Sequence, residues 1–337
     1  MRMNGLLDEE SVSVALKLTK NKTATRTDGC PYELWKTLKS KYDDDTIAGK
    51  PGFNIIKVLT IVYRDIQTNG LDESSNFALG WMCPLYKKKD PTEISNYRPI
   101  TLLNTDYKIL TKALAIQLVT EIERLVHPDQ AGFIRNRSIS NQIQLAKTII
   151  NYAEATQENG VIVALDQEKA YDKSKHDYLW KIMEKFDLPH TFANTVKTLY
   201  TNAHTMVAVN GIFSKPYKVT HGVRQGDPLS CALFDLVIEP LACKLRNDPR
   251  LQGYEIPGSE EKIITSLFAD DTSIYLNQND KMDDVQNILD IWCQASGAKF
   301  NIEKTEIIPI GTPEHRNQVI TTRKLNPNDQ NRFDEQI

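Results

Sequence analysis

Apolar side chains along this chain follow two periods, and the alternation between them divides it into elements. Before residue 80 they recur at helical spacing, giving amphipathic stretches at 8–20, 31–42 and 53–67, the last halted by Asn69-Gly70. Short apolar runs near 81–86 and 98–103 predict strands, and helical spacing returns over 105–126 and 138–154. Val161-Ile162-Val163-Ala164-Leu165 is continuously apolar, as a buried strand is, and Asp166 closes it. Helices are expected near 177–201, a hairpin around Asn210-Gly211, a helix from 228 and another at 282–295. Between the last two, Ile263 to Leu276 reads IITSLFADDTSIYL, with Asp270 and Asp271 between two β-branched and aromatic runs. That is the pattern of a hairpin with both acids at its tip. The order predicts an α+β chain, with no internal repeat or low-complexity block.

Two carboxylates on a rigid tip offer hard oxygen donors suited to Mg²⁺, and a pair of such ions can clamp the attacking and leaving oxygens of a phosphoryl transfer. Asp-Asp pairs are usually solvated turn residues, so the pair gains meaning only with a further acid. If the 161–166 strand lies beside the hairpin, Asp166 joins Asp270 and Asp271 in a three-carboxylate cluster from positions 104 residues apart (270 − 166). Taken alone, Asp166 is better read as the cap of a following helix. His221 to Ser230, HGVRQGDPLS, describes a tight two-glycine loop feeding a helix N-terminus through Asp227-Pro228. Such a loop can approach a nucleotide closely, although by itself it is an ordinary helix start.

Composition narrows the class without fixing it. A chain of 337 residues with 40% hydrophobic content can bury a real core and is expected to hold two subdomains. The net charge of −3 gives no overall nucleic-acid signal. Residues 81–147, however, hold ten Lys/Arg against six Asp/Glu, including Lys87-Lys88-Lys89, Arg98, Arg135 and Arg137. A local basic patch of this kind suffices for phosphate contacts, and otherwise reads as a solvated face. Five scattered cysteines (Cys30, Cys83, Cys231, Cys243, Cys293) form no CxxC, which points to a reducing compartment and away from a zinc knuckle. The six histidines form no HExxH. No apolar run reaches membrane-span length, and MRMNGLLDEE lacks a signal-peptide core, so no membrane partner and an intracellular location are expected.

The pieces also occur in a familiar order. Asp166, Tyr171 and Asp172 in LDQEKAYD, then GVRQGDPLS, then Phe268-Ala269-Asp270-Asp271 resemble the palm motifs of reverse transcriptases, and in particular the LINE-type (non-LTR) retrotransposon polymerases. PLYKKKD (84–90), NYRPITLLNTDYKILTKALA (96–115), HPDQAGFIRNRSISNQI (127–143) and SGAKFNIEKTEII (296–308) extend the resemblance over roughly residues 7–311. Group II intron maturases share the palm, but Tyr97 to Asn104, YRPITLLN, looks more like the LINE version.

The resemblance implies a right-hand polymerase palm, an antiparallel sheet with helices behind it, plus largely helical fingers. Residues 1–155 would form an N-terminal extension and fingers, 156–311 the palm, and 312–337 a polar tail, truncated before the thumb. Asp166 and Asp270 would be the main Mg²⁺ ligands, with Asp271 in support, for two ions that Mn²⁺ could replace. Tyr171 would lie under the incoming sugar and exclude a 2′-hydroxyl. Arg224, Gln225 and Gly226 would contact nucleotide and template, Arg98 would belong to the basic phosphate-binding patch, and Lys304 would neutralise or protonate the leaving pyrophosphate. The implied partners are an RNA template, a DNA primer and deoxynucleoside triphosphates, with a nuclear location if genomic DNA is the target. Two departures stand out. TRTDG at 25–29 places Arg26 where the family usually has a flexible residue, and by resemblance neither the family's thumb nor its upstream endonuclease is expected within these 337 residues. The chain is therefore expected to be of RNA-directed DNA polymerase lineage. The alternatives are an inactive nucleic-acid-binding remnant and, further off, an RNA-directed RNA polymerase.

Overall fold

The computed structural model describes residues 3, 5–23, 28–72, 74–326 and 332. Arg26 and most of the tail beyond 326 lie outside the described residues. In chain order, helices α1 (Glu9–Lys17), α2 (Tyr32–Ile47) and α3 (Ile55–Asn69) lead into strands β1 (Leu79–Tyr86) and β2 (Tyr97–Leu103). Next come α4 (Thr105–Leu125), α5 (Ile139–Thr156), β3 (Gly160–Leu165), the single turn α6 (Ala170–Lys173), α7 (His176–Lys185) and α8 (His190–Thr201). β4 (His204–Val209), β5 (Ile212–Phe213), β6 (Tyr217–Lys218), α9 (Ser230–Asn247), β7 (Thr265–Phe268) and β8 (Asp271–Asn277) follow. α10 (Met282–Ser296), β9 (Glu306–Ile310) and α11 (Pro313–Thr322) complete the order.

Packing divides the chain into two compact units, Met1–Glu121 with Trp180–Ser230, and Ile122–Leu179 with Cys231–Ile337. The division is discontinuous, whereas the segments expected from the sequence, 1–155, 156–311 and 312–337, are consecutive. The physical reason is that 180–230 returns to the sheet begun by β1 and β2. In that first unit β1 pairs antiparallel with β2, from Gly80↔Leu103 to Tyr86↔Tyr97, and parallel with β4, from Leu79↔His204 to Met82↔Val207. β4 also carries the Asn210-Gly211 hairpin, closed by Val209↔Ile212, with φ of 51° and 79° at its two turn residues. Both lie in the left-handed region that a two-residue hairpin turn requires, which Asn and Gly enter most readily.

The second unit is built on a four-stranded sheet of order β7-β8-β3-β9, antiparallel throughout. β3 lies between two partners, and Val161, Ile162, Val163 and Leu165 are all buried, which accounts for its unbroken apolar sequence. Ile149 and Ala153 of α5 pack with Ile162, Tyr254, Tyr275 and Ile310. Gly160 opens β3 where an added β-carbon would stand 2.1 Å from the Leu276 carbonyl oxygen and 2.2 Å from the Tyr254 hydroxyl, so no larger residue fits. Two elements were not legible as such. β9 carries Pro309, a residue tolerated at a sheet edge, and α11 falls in the stretch read as a polar tail. α11 buries only Val319, starts on a Thr312 cap and ties to α5 through Arg316–Glu154 at 2.6 Å, so it has almost no apolar periodicity to read.

One core group stands out energetically. Asp235 on α9 is fully buried, and neither carboxylate oxygen has a hydrogen-bond partner among the described residues. Burial pushes its pKa up to about 8, opposed by Arg137 and reinforced by Glu239. In the unfolded chain the group ionises near its ordinary value, so between about pH 4 and 8 the unfolded state binds fewer protons and stability falls as pH rises. Asp235→Asn removes this dependence. The stability difference between variant and parent should widen with pH across that window, by up to about 1.4 kcal/mol per pH unit. Chemical denaturation at several pH values checks it, and a difference that does not change with pH contradicts the account.

Candidate active site

The strands build the site from the backbone outward. β3 and β8 pair from Gly160↔Asn277 to Leu165↔Thr272, so Asp166 follows the last paired residue of β3 at the end of the ladder where Asp271 heads β8. β7 and β8 close with Phe268↔Asp271, leaving Ala269 and Asp270 as the two-residue tip. On the other flank Asn301 donates its N–H to the Asp166 carbonyl (2.7 Å) and Glu168 donates to the Lys299 carbonyl (2.8 Å). The Gln167 amide reaches the Asp270 carbonyl at 3.4 Å. The backbone of 166–168 is thereby held between the hairpin tip and residues 299–301.

Asp166 is half-buried, and its Oδ2 lies 3.5 Å from the Lys304 ammonium, an exposed pair weakened by solvent screening. Asp270 is half-buried at the tip, and Asp271 is exposed at the head of β8. Among the described residues no three His, Cys, Asp or Glu side chains gather closely enough to hold a metal ion. Consecutive residues entering a strand point to different faces, so one of the two tip acids is the closer partner for Asp166. The donors nonetheless suit a divalent ion. Carboxylate oxygens are the hard ligands Mg²⁺ and Mn²⁺ take, and the Lys304 ammonium already rests against Asp166 where a cation would be attracted.

Tyr171 sits on α6, its ring stacked on Phe234 (4.6 Å between centroids, 23°) and edge-on to Phe133 (6.4 Å, 82°). Its hydroxyl has no partner among the described residues. Burial raises the phenol's pKa, and the charges of Cys231, Asp270, Asp235 and Asp271 raise it further, which places the ring in the field of the tip acids. The hydroxyl therefore stays protonated and neutral beside them.

Arg98, Arg224, Gln225 and Gly226 belong to the first unit. Arg98 is exposed on β2. Gly226 is exposed, with φ of 103° and an absent β-carbon that would otherwise stand 2.5 Å from the Thr101 carbonyl oxygen. The Gln225 carbonyl accepts from the Thr101 N–H at 2.9 Å. Arg224, expected to contact nucleotide and template, is held within the first unit. It is buried, donates to the carbonyls of Ala78 (2.7 Å) and His204 (3.2 Å), and lies over the Tyr107 ring at 5.5 Å. Its charge is engaged by the ends of β1 and β4, which holds the parallel pair together.

One stretch carries little local signal. Residues 127–137 entered only as a supporting motif, yet they lie along β7, with Leu267 donating to the Asp129 carbonyl and Ala131 to the Leu267 carbonyl, both at 2.8 Å. The only trace in the sequence is Gly132, whose absent β-carbon would stand 2.2 Å from the Ala269 nitrogen.

Residues 86–322 match the reverse transcriptase (RNA-dependent DNA polymerase) family. The transposon TX1 uncharacterized 149 kDa protein of Xenopus laevis is 31% identical, over 89% of this chain and 22% of its own length. The retrovirus-related Pol polyprotein from type-1 retrotransposable element R2 of Popillia japonica is 30% identical, over 58% of this chain and 27% of its own. The RNA-directed DNA polymerase from mobile element jockey of Drosophila melanogaster is 24% identical, over 64% and 24%. The chain thus spans about a quarter of the length of these relatives. The structure of apo telomerase from Candida tropicalis truncated from the C-terminal domain superposes with a TM-score of 0.51 at 13% identity, covering 85% of this chain and 58% of that one. That likeness is one of fold, the right-hand polymerase fold. Family members use divalent metal ions and bind an RNA template and nucleotides. Among the described residues no helix is long and apolar enough to cross a membrane. Its motifs in order, its hairpin acids beside Asp166, and a family match over well more than half its length agree: the chain belongs to the reverse transcriptase family, with relatives in non-LTR retrotransposons.

Proposed function

We propose that this chain is the catalytic part of an RNA-directed DNA polymerase that extends a DNA primer on an RNA template. The observation that supports the reading is the β3–β8 pairing, whose ladder ends at Leu165↔Thr272, one residue before Asp166 on one strand and one residue after Asp271 on the other. Mg²⁺ or Mn²⁺ bound by Asp166 and Asp270, with Asp271 in support, would supply Lewis-acid stabilisation of the attacking and leaving oxygens. The chain's own residues do the rest. Lys304, beside Asp166, neutralises or protonates the departing pyrophosphate. Tyr171, wedged between Phe234 and Phe133, presents a wall that a deoxyribose clears and a 2′-hydroxyl does not. In the first unit, exposed Arg98 meets template phosphates, and the exposed backbone of Gly226, beside Gln225, contacts the nucleotide. A product destined for genomic DNA would place this work in the nucleus.

Primer extension on an RNA template tests the proposal. Asp270→Asn should lower the rate by more than the roughly 100-fold that loss of an outer-shell partner brings, because a neutral amide is a poor ligand for a hard cation. Asp172→Asn, in the same motif but assigned no ligand role, should lose far less. Equal losses would mean the motif register is misassigned.

Tyr171→Ala should raise ribonucleotide incorporation relative to deoxynucleotide incorporation in the same preparation. Truncating this packed aromatic also costs about 3 kcal/mol or more of stability. Destabilisation lowers both rates together, so the ratio isolates the gate. An unchanged ratio assigns Tyr171 to core packing alone.

A further inference from the structure

The tip of the acid-bearing hairpin is held by a side chain from elsewhere in the second unit. Gln130 is fully buried, and its amide group closes on one residue, Ala269, from both sides. Oε1 accepts from the Ala269 N–H at 2.9 Å and from the Gly132 N–H at 2.7 Å, while Nε2 donates to the Ala269 carbonyl at 3.2 Å. Ala269 immediately precedes Asp270 and has φ of 58°, in the left-handed region that costs an alanine about 1–2 kcal/mol. Two-residue hairpin tips normally meet that requirement with Gly, Asn or Asp. Here an alanine is kept in place by external hydrogen bonds.

The side chain that does this is itself anchored. Arg137 donates to the carbonyls of Gln130 (2.7 Å), His127 (2.6 Å) and Val126 (3.1 Å), and Gln142 donates to the Asp129 carbonyl (2.9 Å). Gly132 is pressed so closely on Ala269 that a β-carbon there would overlap its backbone nitrogen. An amide with three hydrogen bonds at a left-handed residue next to an acid is more than filling, since an apolar side chain of the same volume would occupy the space equally well.

We infer that Gln130 is a positioning residue for Asp270: it locks the Ala269–Asp270 peptide and so fixes where the tip carboxylate stands to receive a divalent ion. What the placed carboxylate then does rests on the polymerase reading above; that Gln130 does the placing does not.

The test compares the 337-residue chain with its Gln130→Met form, which keeps the volume and removes all three bonds. Amide exchange of Ala269 should rise about tenfold or more, confined to residues 268–271, with the protection of Val163 in β3 unchanged. Mn²⁺ affinity, read by electron paramagnetic resonance without primer or template, should fall about 10-fold to 100-fold, the range for losing an outer-shell support. Gln130→Glu retains the acceptor for both amides and loses the donor. It should keep the Ala269 amide protected and fall between parent and Gln130→Met in Mn²⁺ affinity. A merely structural role would raise exchange across the whole unit, including Val163, and that result overturns the inference. So does unchanged Ala269 protection, or lost protection with unchanged Mn²⁺ affinity. A wild-type chain that binds no Mn²⁺ overturns the polymerase reading and the metal half of the inference together. A chain that binds Mn²⁺ yet extends no primer overturns only the former.

Discussion

The pairing of β3 with β8 is the interaction on which the rest of this chain depends. It joins segments more than a hundred positions apart, and its register decides whether the carboxylate after Leu165 meets the hairpin at all. A slip of one residue would turn every side chain of β3 to the opposite face and carry Asp166 with it. The register is fixed at both ends. Gly160 admits only a bare α-carbon between the Leu276 carbonyl and the Tyr254 hydroxyl, and the 166–168 backbone is tied to residues 299–301. Because β9 covers the other edge of β3, the strand that supplies Asp166 has no freedom to fray.

Charge is handled in two contrasting ways within the second unit. The Asp166–Lys304 pair is solvent-exposed, so it is weak. By contrast, Arg246 bridges buried Glu239 and Asp129, joining α9 to the 127–137 stretch, and burial keeps Asp235 protonated at neutral pH. Removing either partner of such a buried pair is far more damaging than removing an exposed one. The deep pairs stiffen the support, and the shallow pair adds little to it.

The hairpin acids, the apolar β3 and the Asn210-Gly211 turn were legible because each is written in local periodicity or turn chemistry. The order of the motifs then carried the family. Other features are written in contacts between distant residues and leave no such trace. Arg224 reads as a basic residue in a loop, and only the sheet shows its guanidinium bound to the Ala78 and His204 carbonyls. Gln130 is a lone polar residue between helices until the fold lays it on Ala269. α11 is polar around nearly its whole circumference, so a period-based reading sees a tail. The return of 180–230 to the first sheet depends on the parallel β1–β4 pairing, which no nearby residue announces.

The account turns on Asp166 and Asp270 sharing a divalent ion, and a crystal of the chain grown with Mn²⁺ tests this most directly, because the ion's anomalous scattering marks its position. The account predicts a peak within coordination distance of both carboxylates, about 2.1 Å for an ion of the Mg²⁺ class, with Ala269 still clasped by Gln130. A peak bound to neither acid, or to Asp166 alone with Asp270 turned away, would contradict it.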